Sequence, residues 1–330
     1  MSILPICYFP TTVVLIDDNK KFLDRLYTAL SPDKAYIIYN DSLQAMNYFE
    51  NQYSPNNCSN RFIEEIEGER YQNRALNFNI YDIPKEVYNK DRFSQISCIV
   101  IDYDMPGLNG LELCASIKDH NIKKILLTGA ADEHLAVEAF NNGLINNFIR
   151  KSEENLLEKV NKAITKAQFE YFTNIATNVT NLVINSNNTA INDPIFIDMF
   201  NILIREYKII EYYIFEEYGC YLMVDARGKF YGLFIYPEEE IQSMLEEAEE
   251  LNNINSDIVA LLKNRTKIFC YHKDIKNLTF PNISERLNYL RPAKRLEGQH
   301  KTYYYSFTDD IMDFDVNKIF SFNDFISKNL

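Results

Sequence analysis

The sequence predicts a five-stranded, doubly wound parallel sheet of flavodoxin-like form, followed by a smaller α+β unit. Three observations predict the first sheet. Short β-branched runs recur at 13–16, 35–39, 98–101, 124–127 and 147–149. Stretches with helical spacing separate them, as in a chain of βα units. The runs are continuous rather than alternating, as in strands buried on both faces.

The elements follow in order. The run 13–16 ends in two carboxylates, Asp17 and Asp18. Phe22, Leu23, Leu26, Tyr27 and Leu30 then recur on one helical face, and Ser31 with Pro32 ends that helix. After the run 35–39, Asp41 or Ser42 can cap a helix through Ala45, Met46 and Phe49. Residues 51–97 interrupt the pattern. Their start is rich in Asn, Ser and Pro, and 62–70 is acidic and reads as one or two helical turns. This insertion joins a helix to the next strand, so it is expected at the end of the sheet away from Asp102. It reads as a tolerated surface insertion or as a partner-binding arm.

The run 98–101 ends at Asp102, with Asp104, Met105, Pro106 and Gly107 close behind. In open α/β sheets ligands bind at strand carboxyl ends, so Asp102 is placed for chemistry. A helix follows Gly110, a strand ends at Thr128, a helix spans 132–142 with Gly143 as its stop, and a last short strand ends at Arg150 and Lys151. A further helix starts near Glu153 and runs to at least Phe169.

Asp17, Asp18, Asp102, Thr128 and Lys151 therefore converge on one rim. Carboxylates 4 Å apart repel by about 4 kcal/mol per pair at an effective dielectric of 20. A divalent cation relieves this. Oxygen ligands with room for water suit Mg²⁺. Lys151 adds a positive charge and Thr128 a hydroxyl, which together fit a phosphoryl group carried on Asp102.

The joint pattern is specific: Asp17 and Asp18, then Asp102 with Met105, Pro106 and Gly110, then Thr128, then Phe148 and Lys151. Over roughly 11–168, without the insertion, it resembles the CheY-like receiver domain of two-component response regulators. The resemblance implies that Asp102 accepts phosphate from a sensor histidine kinase or a phosphotransfer protein. It implies Mg²⁺ held by Asp18, Asp102 and the backbone carbonyl of Asp104, with Asp17 acting through water. It makes Lys151 the partner of the acyl phosphate, Thr128 its hydrogen-bonding switch and Phe148 the aromatic switch. It also implies a homodimer formed on phosphorylation. Ser152 departs from the family, which usually has proline after the lysine.

The second half is organised differently. The stretch 185–193 is polar and reads as a linker before Pro194. Apolar residues at helical spacing from Phe196 to Ile210 predict a helix over 195–215. A hairpin turns at Asp225 to Gly228, and Glu238, Glu239 and Glu240 open an acidic helix. A helix at 256–263 and strands at 266–271 and 302–307 complete an α+β unit. The expected division is a receiver domain at 1–168, a helix extension and linker at 169–193, and an output domain at 194–330.

The runs YLMVDARGKFYGLFIYPEEEI (221–241) and YLRPAKRLEGQHKTYYYSF (289–307) resemble the C-terminal module of bacterial response regulators, including those of the quorum-sensing group. That unit has no helix-turn-helix with a basic recognition helix. Residues 263–301 hold ten Lys and Arg against three acids, with tyrosines interleaved. Arg291, Lys294 and Arg295 are its candidate residues for a phosphate-bearing ligand or RNA, against the plainer reading of a solvated face. An aspartyl-phosphate phosphatase is the enzymatic alternative. It needs a general acid two residues past the nucleophile, where Asp104 stands. Met105, Pro106 and Thr128 favour a regulator that is no enzyme beyond its own dephosphorylation.

Composition narrows the partners. The net charge of −13 argues against indiscriminate nucleic-acid binding. Six scattered cysteines without CxxC spacing predict neither a disulfide framework nor a zinc site, and point to the reducing cytoplasm. The opening residues lack a basic flank, so no signal peptide is expected. No apolar run is long enough to span a membrane.

Overall fold

The computed structural model describes residues 3–55, 59–67, 74–129, 132–177, 189–250, 256–271, 287–311 and 314–329. The chain forms two compact units, and neither is continuous in sequence. One comprises Phe9–Cys58 and Asp91–Ala176. The other comprises Met1–Tyr8, Ser59–Lys90 and Thr177–Leu330. The consecutive division at 168 and 194 therefore gives way to one in which the chain start and most of the insertion group with the C-terminal part.

In chain order, β1 (Cys7–Tyr8) belongs to the second unit. The first unit then begins with β2 (Thr12–Ile16), α1 (Lys20–Ala29), β3 (Ala35–Tyr39) and α2 (Ser42–Asn51). Asp41, one of the two candidates for capping α2, is its cap and accepts the amides of Leu43 and Gln44. The cap of α1, which the sequence reading did not name, is Asn19, whose side chain accepts the Phe22 amide.

The insertion holds α3 (Ser59–Phe62) and a hairpin of β4 (Ile63–Glu67) and β5 (Arg74–Phe78), with Ile63 opposite Phe78. Where helical turns were expected over 62–70, residues 63–67 form a strand; 68–70 lie outside the described residues. Acidic side chains there do not favour a strand, but the ladder to 74–78 satisfies the backbone. The 3-10 helix Ile80–Tyr88 follows and packs on the second unit's sheet. Arg61 holds the buried Glu86 through two bonds, and the Tyr88 hydroxyl accepts the Asp315 amide at 2.9 Å.

Back in the first unit come β6 (Ile96–Asp102), α4 (Gly110–Ser116), β7 (Lys123–Thr128), α5 (Glu133–Asn141), β8 (Asn147–Arg150) and α6 (Leu156–Ile175). The parallel sheet has strand order β3-β2-β6-β7-β8, the doubly wound arrangement expected. Val14, Ile16, Ile99, Ile101 and Leu126 face α2, α4 and α5; Val13, Leu15, Val100, Ile125 and Leu127 face α1 and α6. Burial on both faces explains why the central strands β2 and β6 carry unbroken apolar runs.

The second unit continues with α7 (Pro194–Tyr207), β9 (Ile209–Glu216), β10 (Cys220–Asp225), β11 (Phe230–Pro237), α8 (Glu238–Glu250) and α9 (Ser256–Lys263). It closes with β12 (Lys267–Phe269), β13 (Leu290–Pro292), β14 (Lys294–Glu297), β15 (Thr302–Thr308) and α10 (Phe322–Asn329). Its main sheet is antiparallel, in the order β1-β9-β10-β11-β15-β14. The helix expected over 195–215 stops at Tyr207. Lys208 adopts a left-handed conformation, and the chain turns into β9. Both faces of β9 are covered. Phe200 packs edge-on to Tyr212 and Tyr221 on one side, while Phe215 meets Phe234 and Phe314 on the other. An apolar run buried on both faces carries no period that separates helix from strand.

Candidate functional site

Every acid at the rim ends a strand of the parallel sheet. Asp17 and Asp18 follow β2, and Asp102 is the last residue of the neighbouring β6. Thr128 ends β7 one position past Leu127, the ladder partner of Asp102. Lys151 follows β8, and its amide donates to the Thr128 carbonyl at 2.9 Å. Adjacent parallel strands in register thus bring distant residues together.

The Lys151 ammonium lies 2.7 Å from Asp17 Oδ2 and 2.7 Å from Asp102 Oδ2. Both carboxylates are buried, whereas Asp18 is exposed. Burial pushes the Asp102 carboxyl up to about 6, with Asp17 and Asp18 adding to the shift and Lys151 opposing it. For Lys151, burial works against the charge, but its bonds to Asp102 and Asp17 outweigh it and hold the ammonium above the usual lysine range. Above about pH 6 the Asp102 carboxylate is therefore ionised beside the Lys151 ammonium.

Carboxylate oxygens of Asp17, Asp18 and Asp102 all lie within 4.8 Å of one another. At that separation two unit charges repel by about 3.5 kcal/mol at an effective dielectric of 20. Asp17 Oδ2 is buried and meets the Lys151 ammonium at 2.7 Å, and a carboxylate oxygen with one such partner keeps a lone pair for a cation. An all-oxygen donor set with one solvent-facing member fits Mg²⁺. Asp104 is exposed two residues after Asp102, in the loop where its carbonyl was expected to serve.

Three residues outside the expected site set shape it. Asn19 donates its amide to Asp17 Oδ1 at 2.9 Å, orienting that carboxylate while its side chain caps α1. Gly110 starts α4 so close to β6 that a Cβ would lie 2.2 Å from the Asp102 carbonyl oxygen. Phe22 places its ring centroid 4.9 Å from Lys151 Nζ. Asn19 carried a readable signal, a capping residue just before helical spacing. Phe22 carried none beyond its place on the helix.

The two residues that the resemblance reads as a switch lie at the end of β7 and on β8. Thr128 is fully buried, its hydroxyl donating to the Gly129 carbonyl at 3.1 Å. Phe148 is half-buried on β8 and meets Phe140 of α5 edge-on at 6.3 Å. In the second unit, the Arg291 guanidinium donates to the carbonyls of Asn288, Leu290 and Asp310 and pairs with the Asp310 carboxylate at 2.6 Å. Arg295 pairs with Glu297, and Lys294 is exposed on β14. Arg291 therefore has a structural role within its own unit.

The description "Response regulator receiver domain" matches residues 69–161, a span that holds Asp102, Thr128 and Lys151. Among solved structures, the Legionella pneumophila response regulator LqsR is similar at 31% identity and a TM-score of 0.79, covering 98% of this chain and 95% of its own. An adenylate cyclase from Rhodopirellula baltica (20% identity, TM-score 0.35) matches 52% of this chain and 97% of its own. A response regulator receiver domain protein from Clostridium thermocellum (19%, TM-score 0.32) matches 48% of this chain and 94% of its own. No curated protein matches.

Proposed function

The chain belongs to the response regulators that join a receiver domain to an additional C-terminal domain, and on that footing we propose that Asp102 is its phosphoacceptor. The donor is the phosphohistidine of a sensor histidine kinase or a phosphotransfer protein. The observation that carries this is the Lys151 ammonium 2.7 Å from each of two buried carboxylates, Asp17 and Asp102.

An Asp102 carboxylate oxygen attacks phosphorus, the P–N bond to the imidazole breaks, and its electron pair stays on the ring nitrogen. Lys151 offsets the charge that gathers on the phosphoryl oxygens. Asp17, oriented by the Asn19 amide, keeps that ammonium at Asp102 before transfer. Asp17, Asp18 and Asp102 would hold Mg²⁺, with the Asp104 carbonyl, and the ion would neutralise phosphoryl charge. Thr128 exchanges its bond to the Gly129 carbonyl for one to the phosphate. That movement frees space for Phe148 to turn inward, changing the face it shares with Phe140.

The changed face drives homodimerisation and alters the second unit. Its signalling role is read as quorum sensing, from the likeness of 221–241 and 289–307 to regulators of that group. A cytoplasmic setting is part of the same proposal. No helix among the described residues is long and apolar enough to cross a membrane, and Cys98, Cys114, Cys220 and Cys270 are buried thiols. The test is labelling by acetyl phosphate with Mg²⁺, followed by a mass shift of one phosphate. Asp102→Asn should take none, and beryllofluoride should raise the mass in solution to that of a dimer. Full labelling of Asp102→Asn would overturn the assignment.

A further inference from the structure

Lys151 has three N–H donors, and two carboxylates at 2.7 Å engage it on one side. The ammonium nitrogen also lies over the Phe22 ring, 4.9 Å from its centroid. The ring is tied to the acid rim through the backbone. Asn19 donates its amide to Asp17 and accepts the amide of Phe22, so one short turn sets both the carboxylate and the ring. Phe22 and Lys151 also line a cleft of about 650 Å³ with Asn19, Arg25, Leu156 and Leu157. A lysine beside an open cleft has free rotamers to occupy, and its side chain here is 30% exposed. An aromatic face attracts an ammonium whichever anion the ammonium is paired with. When the phosphoryl group arrives, Lys151 must shift from two carboxylates toward phosphate oxygens, and the ring stays a constant partner during that exchange.

We propose that Phe22 is a positioning residue that holds the Lys151 ammonium at Asp102, so that the lysine engages the phosphoryl group rather than the cleft. The proposal rests on Asp102 being the phosphoacceptor. It concerns the aromatic face of Phe22, not its bulk.

The test uses the full chain and beryllofluoride with Mg²⁺ as the phosphoryl probe, measured by calorimetry, with Mg²⁺ binding alone as the second readout. Phe22→Leu keeps an apolar side chain and removes the π face. Phe22→Tyr keeps the face. Phe22→Leu should bind beryllofluoride about fivefold more weakly, with Mg²⁺ affinity within about twofold of wild type. Phe22→Tyr should restore wild-type beryllofluoride binding within about twofold. Unchanged beryllofluoride affinity in Phe22→Leu would overturn the proposal. So would equal loss in Phe22→Tyr, which makes the effect one of shape, or a parallel fall in Mg²⁺ affinity, which makes it a distortion of the acid rim. Failure of the wild-type chain to bind beryllofluoride at all would instead refute the phosphoacceptor reading, and this proposal with it.

Discussion

Replacing Gly110 with alanine tests whether the backbone of β6 fixes Asp102. A Cβ at position 110 would lie 2.2 Å from the Asp102 carbonyl oxygen, 3.0 Å from its carbonyl carbon and 3.0 Å from Leu126 Cδ1. A relaxed carbon–oxygen contact is more than 3 Å, so the overlap is about 1 Å. Two of the three atoms are backbone in a central strand and cannot rotate away. The Gly110 amide is also bonded to the Tyr103 carbonyl at 2.9 Å, which keeps α4 from sliding off. Overpacking of this kind costs about 3 kcal/mol, which lowers the melting temperature of a unit this size by roughly 10 °C. The residue that yields is Asp102 itself, the proposed phosphoacceptor. A displacement near 1 Å lowers a transfer rate by about a hundredfold. Gly143→Ala is the control, since nothing lies within 4 Å of a Cβ there and the positive φ alone is at issue. Circular dichroism melts and a time course of acetyl phosphate labelling measure both effects. A Gly110→Ala chain that melts and labels like wild type would show that Asp102 is not held in this way.

Other perturbations have equally definite outcomes. Because Asp102 titrates near 6 when no cation is bound, a proton competes with Mg²⁺ below that pH. Affinity should fall about tenfold per pH unit below about 6 and level off above it; calorimetry showing a flat profile from pH 5 to 7.5 would contradict the buried, shifted carboxyl. Removing Arg61 leaves the buried Glu86 carboxylate with the Asn89 side-chain amide as a remaining partner. Arg61 is partly exposed, so Arg61→Ala should cost about 2 kcal/mol in urea unfolding, and Arg61→Lys should recover only part of it. Deleting residues 3–8 removes β1, the buried Ile6 and Cys7, and the carbonyl of Pro5 that accepts the Tyr221 hydroxyl. At about 1.5–3 kcal/mol per buried side chain the second unit should not survive, and neither should an isolated 194–330 fragment. A dispersed amide NMR spectrum from that fragment would contradict this.

The sequence alone determined which side chains gather at the rim of the first unit. The carboxylates after 13–16 and at Asp102 and the hydroxyl at 128 each end an apolar run, and the amine at 151 follows the short strand 147–150. Such runs stack in register with their carboxyl ends on one rim, so residues far apart in the chain could be grouped without coordinates. Only the tertiary structure decided the rest. That 63–67 and 209–216 are strands depends on their ladder partners, and partners are chosen by long-range packing that local composition does not encode. That Cys7–Tyr8 pairs with the edge of the C-terminal sheet and Ile80–Tyr88 packs on it is likewise a matter of edges and cover, absent from any local pattern. The Arg291 guanidinium looked available for a ligand because charge is visible in a sequence. The Asp310 carboxylate and the carbonyls that bind it come together only when the chain folds. Phe22 looked like one more apolar helix residue, because its meaning lies in an ammonium 129 positions further along the chain (151 − 22) that folding brings against its ring.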